Sequence, residues 1–379
     1  MTATPAQTSG GARHLYVHLP FCSSRCGYCD FVTVVGRSGD HSRYVEALLR
    51  ELDLERGRLA RDVETVYLGG GTPTLTSAPA LERLLAALPP AQEVTVEANP
   101  ETVTPELARL LQRNRVNRVS IGAQTFHMHL LDVLERRARP DDVRRAVYTV
   151  RDAGIDNISL DLIYGVPSQS ASDLARDLAE SLSLEPEHLS AYELEAKPGT
   201  RFTHRYGREL ARQSEAMEDY FEQVVETLTG AGYRWYETAS FCRAPARAGD
   251  RDLRSRHNLG YWLGHDYLGL GVGAVSTIES TRWRNRPSLT RYLAALEQGT
   301  RPPREREHLP AETRAVERAM LGLRLDEPLS LEGLEETLDQ DALARLERLG
   351  LATRPSSATV TLTPRGRLLG GGVTARLLA

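Results

Sequence analysis

The sequence predicts an α/β protein: an open parallel (β/α)6 partial barrel followed by a C-terminal α+β, winged-helix-like domain. Three observations predict it. Six strand-like runs, each followed by a helical pattern or a loop, fill most of the first 200 residues, and such alternation signals a parallel sheet with crossover helices. A closed eight-unit barrel takes about 250 residues, so six units leave the barrel open. Beyond residue 200 the alternation stops, and a long amphipathic helix, short aromatic runs and charged loops take over.

Residues 1–13 hold Thr, Ala, Ser, Gly and Pro and read as a disordered lead-in. The barrel is assigned to 14–205. Its first strand, at 15–19, runs into Cys22-Ser23-Ser24-Arg25-Cys26-Gly27-Tyr28-Cys29. Tyr44, Leu48, Leu52 and Leu59 then recur on a helical period across 41–60. A second strand at 63–68 ends in Gly69-Gly70-Gly71-Thr72-Pro73-Thr74. A helix at 78–88 stops at Pro89-Pro90, and a third strand at 93–97 ends at Asn99-Pro100. Thr104-Pro105-Glu106 starts a helix, because proline suits the first turn behind a capping hydroxyl. The fourth strand is expected at 117–121, with helices at 128–136 and 141–153. The fifth strand, 157–163, precedes a helix at 171–183, and the sixth is placed at 188–193.

Residues 206–300 read as an extension of the barrel. A helix over 208–230 presents Met217, Tyr220, Phe221 and Val224 as a core face, a short aromatic strand covers 233–237, and 244–256 is a charged loop. The last domain is assigned to 301–379. Pro302 to Glu307 reads as a solvated linker or helix entry. Helices at 312–322, 330–338 and 340–349 precede a strand at 358–363 and a glycine-rich end.

The net charge of -4 and the scatter of arginine among acidic residues leave no basic stripe for phosphate contact, so nucleic acid is not an expected partner. Lys197 is the only lysine. Three of the 4 cysteines lie inside one loop, which argues against a disulfide scaffold and for a reducing, cytoplasmic setting. Residues 1–12 lack the charged and apolar runs of a signal peptide. The longest apolar stretch, 267–275, is broken by Gly269, Gly271 and Gly273 and falls short of the roughly 20 residues of a membrane span.

The spacing Cys-x3-Cys-x2-Cys offers three thiolates to one centre. A cubane iron–sulfur cluster accepts three and keeps one iron open. A structural zinc wants a fourth protein ligand, for which His18 and Asp30 are near in sequence; His18 reads better as a strand residue supporting the loop. Inert thiols are the bland alternative, and that reading suits Cys242. The glycine run lets a ligand approach the backbone, yet lacks the signature of a phosphate loop. Glu97, Gln124 and Asp161 each end or follow a strand, where barrels collect their chemistry. His127 and His129 show no partner pattern.

These features resemble the radical S-adenosylmethionine (SAM) superfamily. Tyr16-Val17-His18-Leu19-Pro20-Phe21-Cys22, Gly69 to Thr74, Glu97-Ala98-Asn99-Pro100 and Asp161-Leu162-Ile163-Tyr164-Gly165 are similar to its coproporphyrinogen III oxidase-like group. The resemblance implies a [4Fe–4S] cluster on Cys22, Cys26 and Cys29, with SAM on the open iron. Reduction by an electron donor would cleave SAM to a 5′-deoxyadenosyl radical. By the same resemblance Tyr16 and Tyr28 border SAM, and Gly70, Gly71 and Thr72 hold its amino group. Glu97 and Gln124 take ribose hydroxyls, Arg136 pairs with the carboxylate side, and Asp161 completes the pocket.

The group has two branches. The decarboxylating oxidase carries a further cysteine where this chain has Phe31, and a longer arm ahead of strand one. The haem-chaperone branch carries His-Asn-x-x-Tyr-Trp, matched here by His257-Asn258-Leu259-Gly260-Tyr261-Trp262. That branch implies haem as a third bound group, contacted by His257, and transfer to respiratory haem proteins at the membrane surface with no catalytic acid or base. His257 by itself also reads as a hydrogen-bonding residue in an aromatic corner. Oxygen-independent oxidation of coproporphyrinogen III to protoporphyrinogen IX is the alternative function, and a zinc-binding structural protein a third.

Overall fold

Six parallel strands carry the first half of the chain: β1 (His14–Leu19), β2 (Thr65–Gly70), β3 (Glu93–Ala98), β4 (Arg118–Gln124), β5 (Ile158–Tyr164) and β6 (His188–Glu193). In the computed structural model, which describes residues 10–378 except 198, 199 and 248, they pair side by side in chain order. The crossovers are α1 (His41–Glu55), α2 (Ala78–Ala87), α3 (Pro105–Arg113), α4 (Met128–Val133), α5 (Pro140–Asp152) and α6 (Ala171–Ser183). Thr104 caps α3 by accepting from Leu107 N at 3.2 Å, with Pro105 in the first turn.

Alternation along the strands sorts two faces. Leu15, Val17, Val66, Leu68, Val96, Val119, Ile121, Leu160 and Leu189 are buried in one apolar core with Leu48, Leu81, Leu111, Val147 and Leu178 of the helices. The intervening residues are also buried but polar: His14, His18, Thr65, Thr95, Arg118, Ser120, Ser159, His188 and Ser190. The face opposite the helices is therefore polar rather than greasy, as a site for a polar ligand requires.

Both edges of this sheet are extended. After α7 (Arg201–Gly230), β7 (Tyr233–Glu237) and β8 (Ser240–Arg243) add to β6. After α8 (Arg256–Trp262), β9 (Tyr267–Leu270), β10 (Val275–Ile278), β11 (Thr281–Asn285) and, past α9 (Leu289–Glu297), β12 (Arg304–His308) build outward from β1. The order is β12-β11-β10-β9-β1-β2-β3-β4-β5-β6-β8-β7, so the end strands do not close the barrel. The region expected as one extension thus divides between the two edges. The stretch read as a linker is an edge strand. Its alternating Arg and Glu look solvated, but Arg304 turns inward to Glu51 at 3.1 Å and Glu55 at 2.9 Å, all three buried. With β12 in the large sheet, the last unit starts near 311 rather than 301.

That unit comprises α10 (Ala311–Gly322), β13 (Leu329–Ser330), α11 (Gln340–Arg348), β14 (Ala352–Ser356), β15 (Thr359–Leu362), α12 (Pro364–Leu368) and α13 (Gly370–Leu377), with an antiparallel sheet β13-β15-β14 and its own core. Three expectations change here. Residues 332–338 form turns, not a helix, although Leu334 and Leu338 are buried. Strand β14 was not expected. The glycine-rich end is helical, because Val373 and Leu377 anchor it in the core despite the poor propensity of Gly370 to Gly372. Residues 1–9 of the expected lead-in lie outside the described residues, while Ala12 is buried and bridges to Leu59. Among the described residues no helix is long and apolar enough to cross a membrane.

Candidate functional site

The site lies where β1 to β5 end. Strand β1 delivers the cysteine loop, which folds back so that Phe21–Cys22 pairs with Val34–Val35 and Cys29 N donates to Cys26 O at 3.2 Å. Cys22, Cys26 and Cys29 are free and partly exposed. Burial pushes the Cys22 and Cys29 thiols up, and their neighbouring cysteines add to this. His18 supports the loop as expected, with Nε2 on Val32 O at 2.8 Å and Nδ1 on the Tyr16 hydroxyl at 3.1 Å. Among the described residues no three His, Cys, Asp or Glu side chains gather closely enough to hold one metal ion.

Behind the loop, Gly70 adopts φ +110°, open to glycine, and a side chain there would strike the His18 ring. The N–H groups that follow are engaged: Gly70 with Glu97 Oε2 at 3.0 Å, Gly71 with Leu19 O and Thr72 with Phe21 O, both at 2.8 Å. Thr72 Oγ1 lies 3.6 Å from Cys22 Sγ and accepts from Asn99 Nδ2 at 3.0 Å. Asn99 Oδ1 in turn accepts from Arg136 Nη2 at 2.8 Å. Arg136 also reaches Gly122 O at 3.0 Å and Cys26 Sγ at 3.8 Å. Its Nε is buried without a hydrogen-bond partner among the described residues.

The carboxylates stand deeper. Glu97 accepts from the Tyr67 hydroxyl at 2.8 Å. Burial, with the nearby Asp161 charge, pushes its carboxyl up to about 7. Asp161 accepts from Ser120 Oγ at 2.9 Å, and burial raises its carboxyl too. Gln124 sits in the left-handed region at φ +64°, one end of a bulge in β4. Asp177 of α6 fixes that bulge by accepting from Thr125 Oγ1 at 2.8 Å and Phe126 N at 2.6 Å. Tyr28 packs with Leu130, Leu134 and Phe202 beside the loop. Of the residues assigned to SAM, Thr72 and Arg136 are joined through Asn99, and Gly70 and Glu97 by a direct hydrogen bond. A zwitterion with a sulfonium finds here two carboxyls, one guanidinium and polar backbone. Three thiols beside a guanidinium with a free N–H suit a cluster with a chelating ligand.

Residues 16–180 match the profile of the Radical SAM superfamily. The chain is 37% identical to "Heme chaperone HemW" of Mycobacterium tuberculosis over 96% of its own length and 94% of that protein's. It belongs to the HemW family. HemW of Bacillus subtilis is 33% identical, with 94% of this chain and 97% of that one covered. The structure of "Coproporphyrinogen III oxidase (HemN) from Escherichia coli" superposes with a TM-score of 0.80 at 23% identity, covering 97% of this chain and 91% of that one, which shows a shared fold.

The HemW-like segment at 257–262 forms α8, capped by Ser255 Oγ on Asn258 N at 3.4 Å. Within it His257, the residue expected to contact haem, is buried. The ring is 1% exposed, with Nδ1 on Thr65 Oγ1 at 2.8 Å and Nε2 on the Tyr261 hydroxyl at 3.0 Å. Both ring nitrogens are occupied, as the aromatic-corner reading has it. Tyr261 instead borders a cavity of about 230 Å³ that opens to solvent and is lined by Tyr16, His18, Phe31, Val32, Tyr267 and Arg284, among others. Phe31 is 64% exposed at this cavity. The expectations missed Asn99 and Tyr67; Asn99 directly after a strand end was the available signal. His127 also has partners that its sequence did not show, 3.8 Å from each of Asp173 and Asp177. Cys242 is buried, far in sequence from the loop. Lys197 Nζ lies 4.0 Å from Asp30 beside the cysteine loop.

Proposed function

We propose that this chain is a haem carrier of the radical SAM class, which binds a [4Fe–4S] cluster, SAM and haem and delivers haem to acceptor haem proteins. The observation that carries the reading is the cavity beside the cysteine loop, lined by Phe31 where the oxidase pattern has a cysteine. An aromatic wall suits a flat macrocycle. A cavity open to solvent leaves part of the cargo reachable by an acceptor, and Arg284 is a charge partner for a haem propionate.

Cys22, Cys26 and Cys29 would hold the cluster, and Arg136 with the Gly70 to Thr72 turn would hold the methionine end of SAM. When bound and reduced, the cluster supplies an electron to SAM. The residues of the chain orient these groups: Asn99 ties Arg136 to Thr72, and His18 keeps the loop against β1. No side chain is asked to act as acid or base on a substrate. Acceptors among respiratory haem proteins at the membrane surface belong to the same reading, as does a cytoplasmic location. The likeness to HemN favours no second function, since at 23% identity it speaks for the fold.

Anaerobic reconstitution tests the cluster: about four irons per chain are expected, lost in Cys→Ala variants at 22, 26 or 29. Titration with haem tests the cargo, and a wild-type chain that binds none would overturn the reading. An anaerobic assay with coproporphyrinogen III, SAM and a reductant separates carrier from enzyme. Multiple-turnover formation of protoporphyrinogen IX would assign the oxidase activity instead.

A further inference from the structure

A carboxylate outside the site holds the bend that carries Gln124. Asp177 lies on the inward face of α6 with Leu174, Leu178 and Ser181, and it is 1% exposed. A carboxylate buried this deeply is tolerated only when hydrogen bonds replace its water. Those bonds all go to the segment just past β4. Thr125 Oγ1 donates to Oδ1 at 3.0 Å and to Oδ2 at 2.8 Å, and Phe126 N donates to Oδ1 at 2.6 Å. His127 N then donates to Thr125 Oγ1 at 3.1 Å, and His127 Nε2 lies 3.1 Å from Asp173 O, also on α6. Thr125, Phe126 and His127 are thus tied in succession to one helix.

The residue before them is Gln124. Its φ of +64° lies in the left-handed region, which a non-glycine residue occupies only when its surroundings hold it there. The pairing with β5 shifts register at this point, with Gly122 opposite Asp161 and Gln124 opposite Leu162. The bend brings the Gln124 amide back over Gly122. A β-carbon added to Gly122 would strike Gln124 Nε2 at 2.6 Å and come within 3.4 Å of Arg136 Nη2. The amide therefore stands beside the Arg136 guanidinium. It is half-buried and makes no hydrogen bond among the described residues, which leaves its two donors and its acceptor for a ligand.

We propose that Asp177 is the positioning residue for Gln124: through Thr125 and Phe126 it keeps the bend that turns the amide toward the ribose hydroxyls of SAM. The inference rests on the SAM-binding reading above. A residue that only stabilised the fold would weaken the chain as a whole. A residue that acts through Gln124 changes one contact of one ligand, and its effect disappears once that contact is removed. Asp177→Asn keeps an acceptor oxygen for Phe126 N, whereas Asp177→Ala keeps none.

The test is a double-mutant cycle on the full chain, reconstituted anaerobically, with calorimetric titration of SAM and iron analysis on the same samples. Gln124→Ala and Asp177→Ala are each expected to bind SAM about tenfold more weakly. The double variant is expected to be no weaker than Gln124→Ala alone. Asp177→Ala should keep about four irons per chain, since the cysteine loop is not its contact. Asp177→Asn should recover most of the wild-type affinity. Should Asp177→Ala fail to fold, Thr125→Val, which removes the hydroxyl donor to the carboxylate, takes its place in the same cycle. Losses that add in the double variant, or wild-type affinity in Asp177→Ala, overturn the positioning role while leaving SAM binding intact. Wild-type affinity in Gln124→Ala overturns the role of Gln124 and this inference together. A wild-type chain that takes up iron yet binds no SAM overturns the cofactor reading and this inference with it.

Discussion

Tyr67 donates its hydroxyl to Glu97 Oε1 at 2.8 Å, a half-buried pair between β2 and β3. This pair makes the pocket sensitive to pH. Burial, with Asp161 nearby, raises the Glu97 carboxyl from 4.5 to about 7. A raised carboxyl favours the protonated fold, so the ligand-free protein should lose stability as pH rises from 4.5 through about 7. Cationic SAM favours the ionised form, so its affinity should rise over the same window. Calorimetric titration of SAM at pH 6, 7 and 8 is expected to show that rise in the wild type and a flat, weaker response in Glu97→Gln.

Arg136 links the loop to the ends of β3 and β4 through Asn99, Gly122 and Cys26. Its role is to position and to bind the carboxylate of the ligand, not to ligate iron. Arg136→Met should therefore still take up iron on three thiols. Its affinity for SAM should fall by about 10–100-fold, the usual cost of losing a supporting partner at a metal site. Iron analysis and SAM binding on the same sample separate the two effects.

Arg304 neutralises Glu51 and Glu55, both 0% exposed, and so fastens β12 to α1. Removing it leaves the buried Glu51 carboxylate without a cation, while Glu55 keeps Arg58 at 2.7 Å and Arg301 at 2.6 Å. Arg304→Met should cost about 3–5 kcal/mol in urea unfolding at pH 8. Much of that loss should return as pH falls and the Glu51 carboxyl takes up a proton. Adding Glu51→Gln should relieve part of it at every pH.

Gly70→Ala meets the His18 ring and an unfavourable φ together. A loss of about 1–3 kcal/mol is expected from the backbone alone. His18 would also be pushed off Val32 O, so iron uptake should slow. The neighbouring surface change Ser23→Ala serves as the control in the same reconstitution assay.

The barrel was legible because six apolar strands and their helices repeat the same pattern, and because Cys22, Cys26, Cys29 and Gly70 to Thr72 stand together at strand ends. The polar face was legible too, in the alternation of His14, Tyr16 and His18 with Leu15, Val17 and Leu19, but it takes the structure to show both faces buried. What sequence periodicity does not carry is long-range pairing. Nothing local to Arg304–His308 says that Arg304 meets Glu51. Nothing local to His257 says that Thr65 occupies its Nδ1, since the two residues are 192 positions apart. In the C-terminal unit, Val373 and Leu377 override the weak helix propensity of the glycines before them.

The single lysine has a practical consequence. Lys197 is 40% exposed on its side chain and sits 4.0 Å from Asp30, next to the cysteine loop. Amine-directed chemistry would touch the protein there and at the α-amine alone. One fluorophore at Lys197 would report cluster assembly optically, without altering a cysteine.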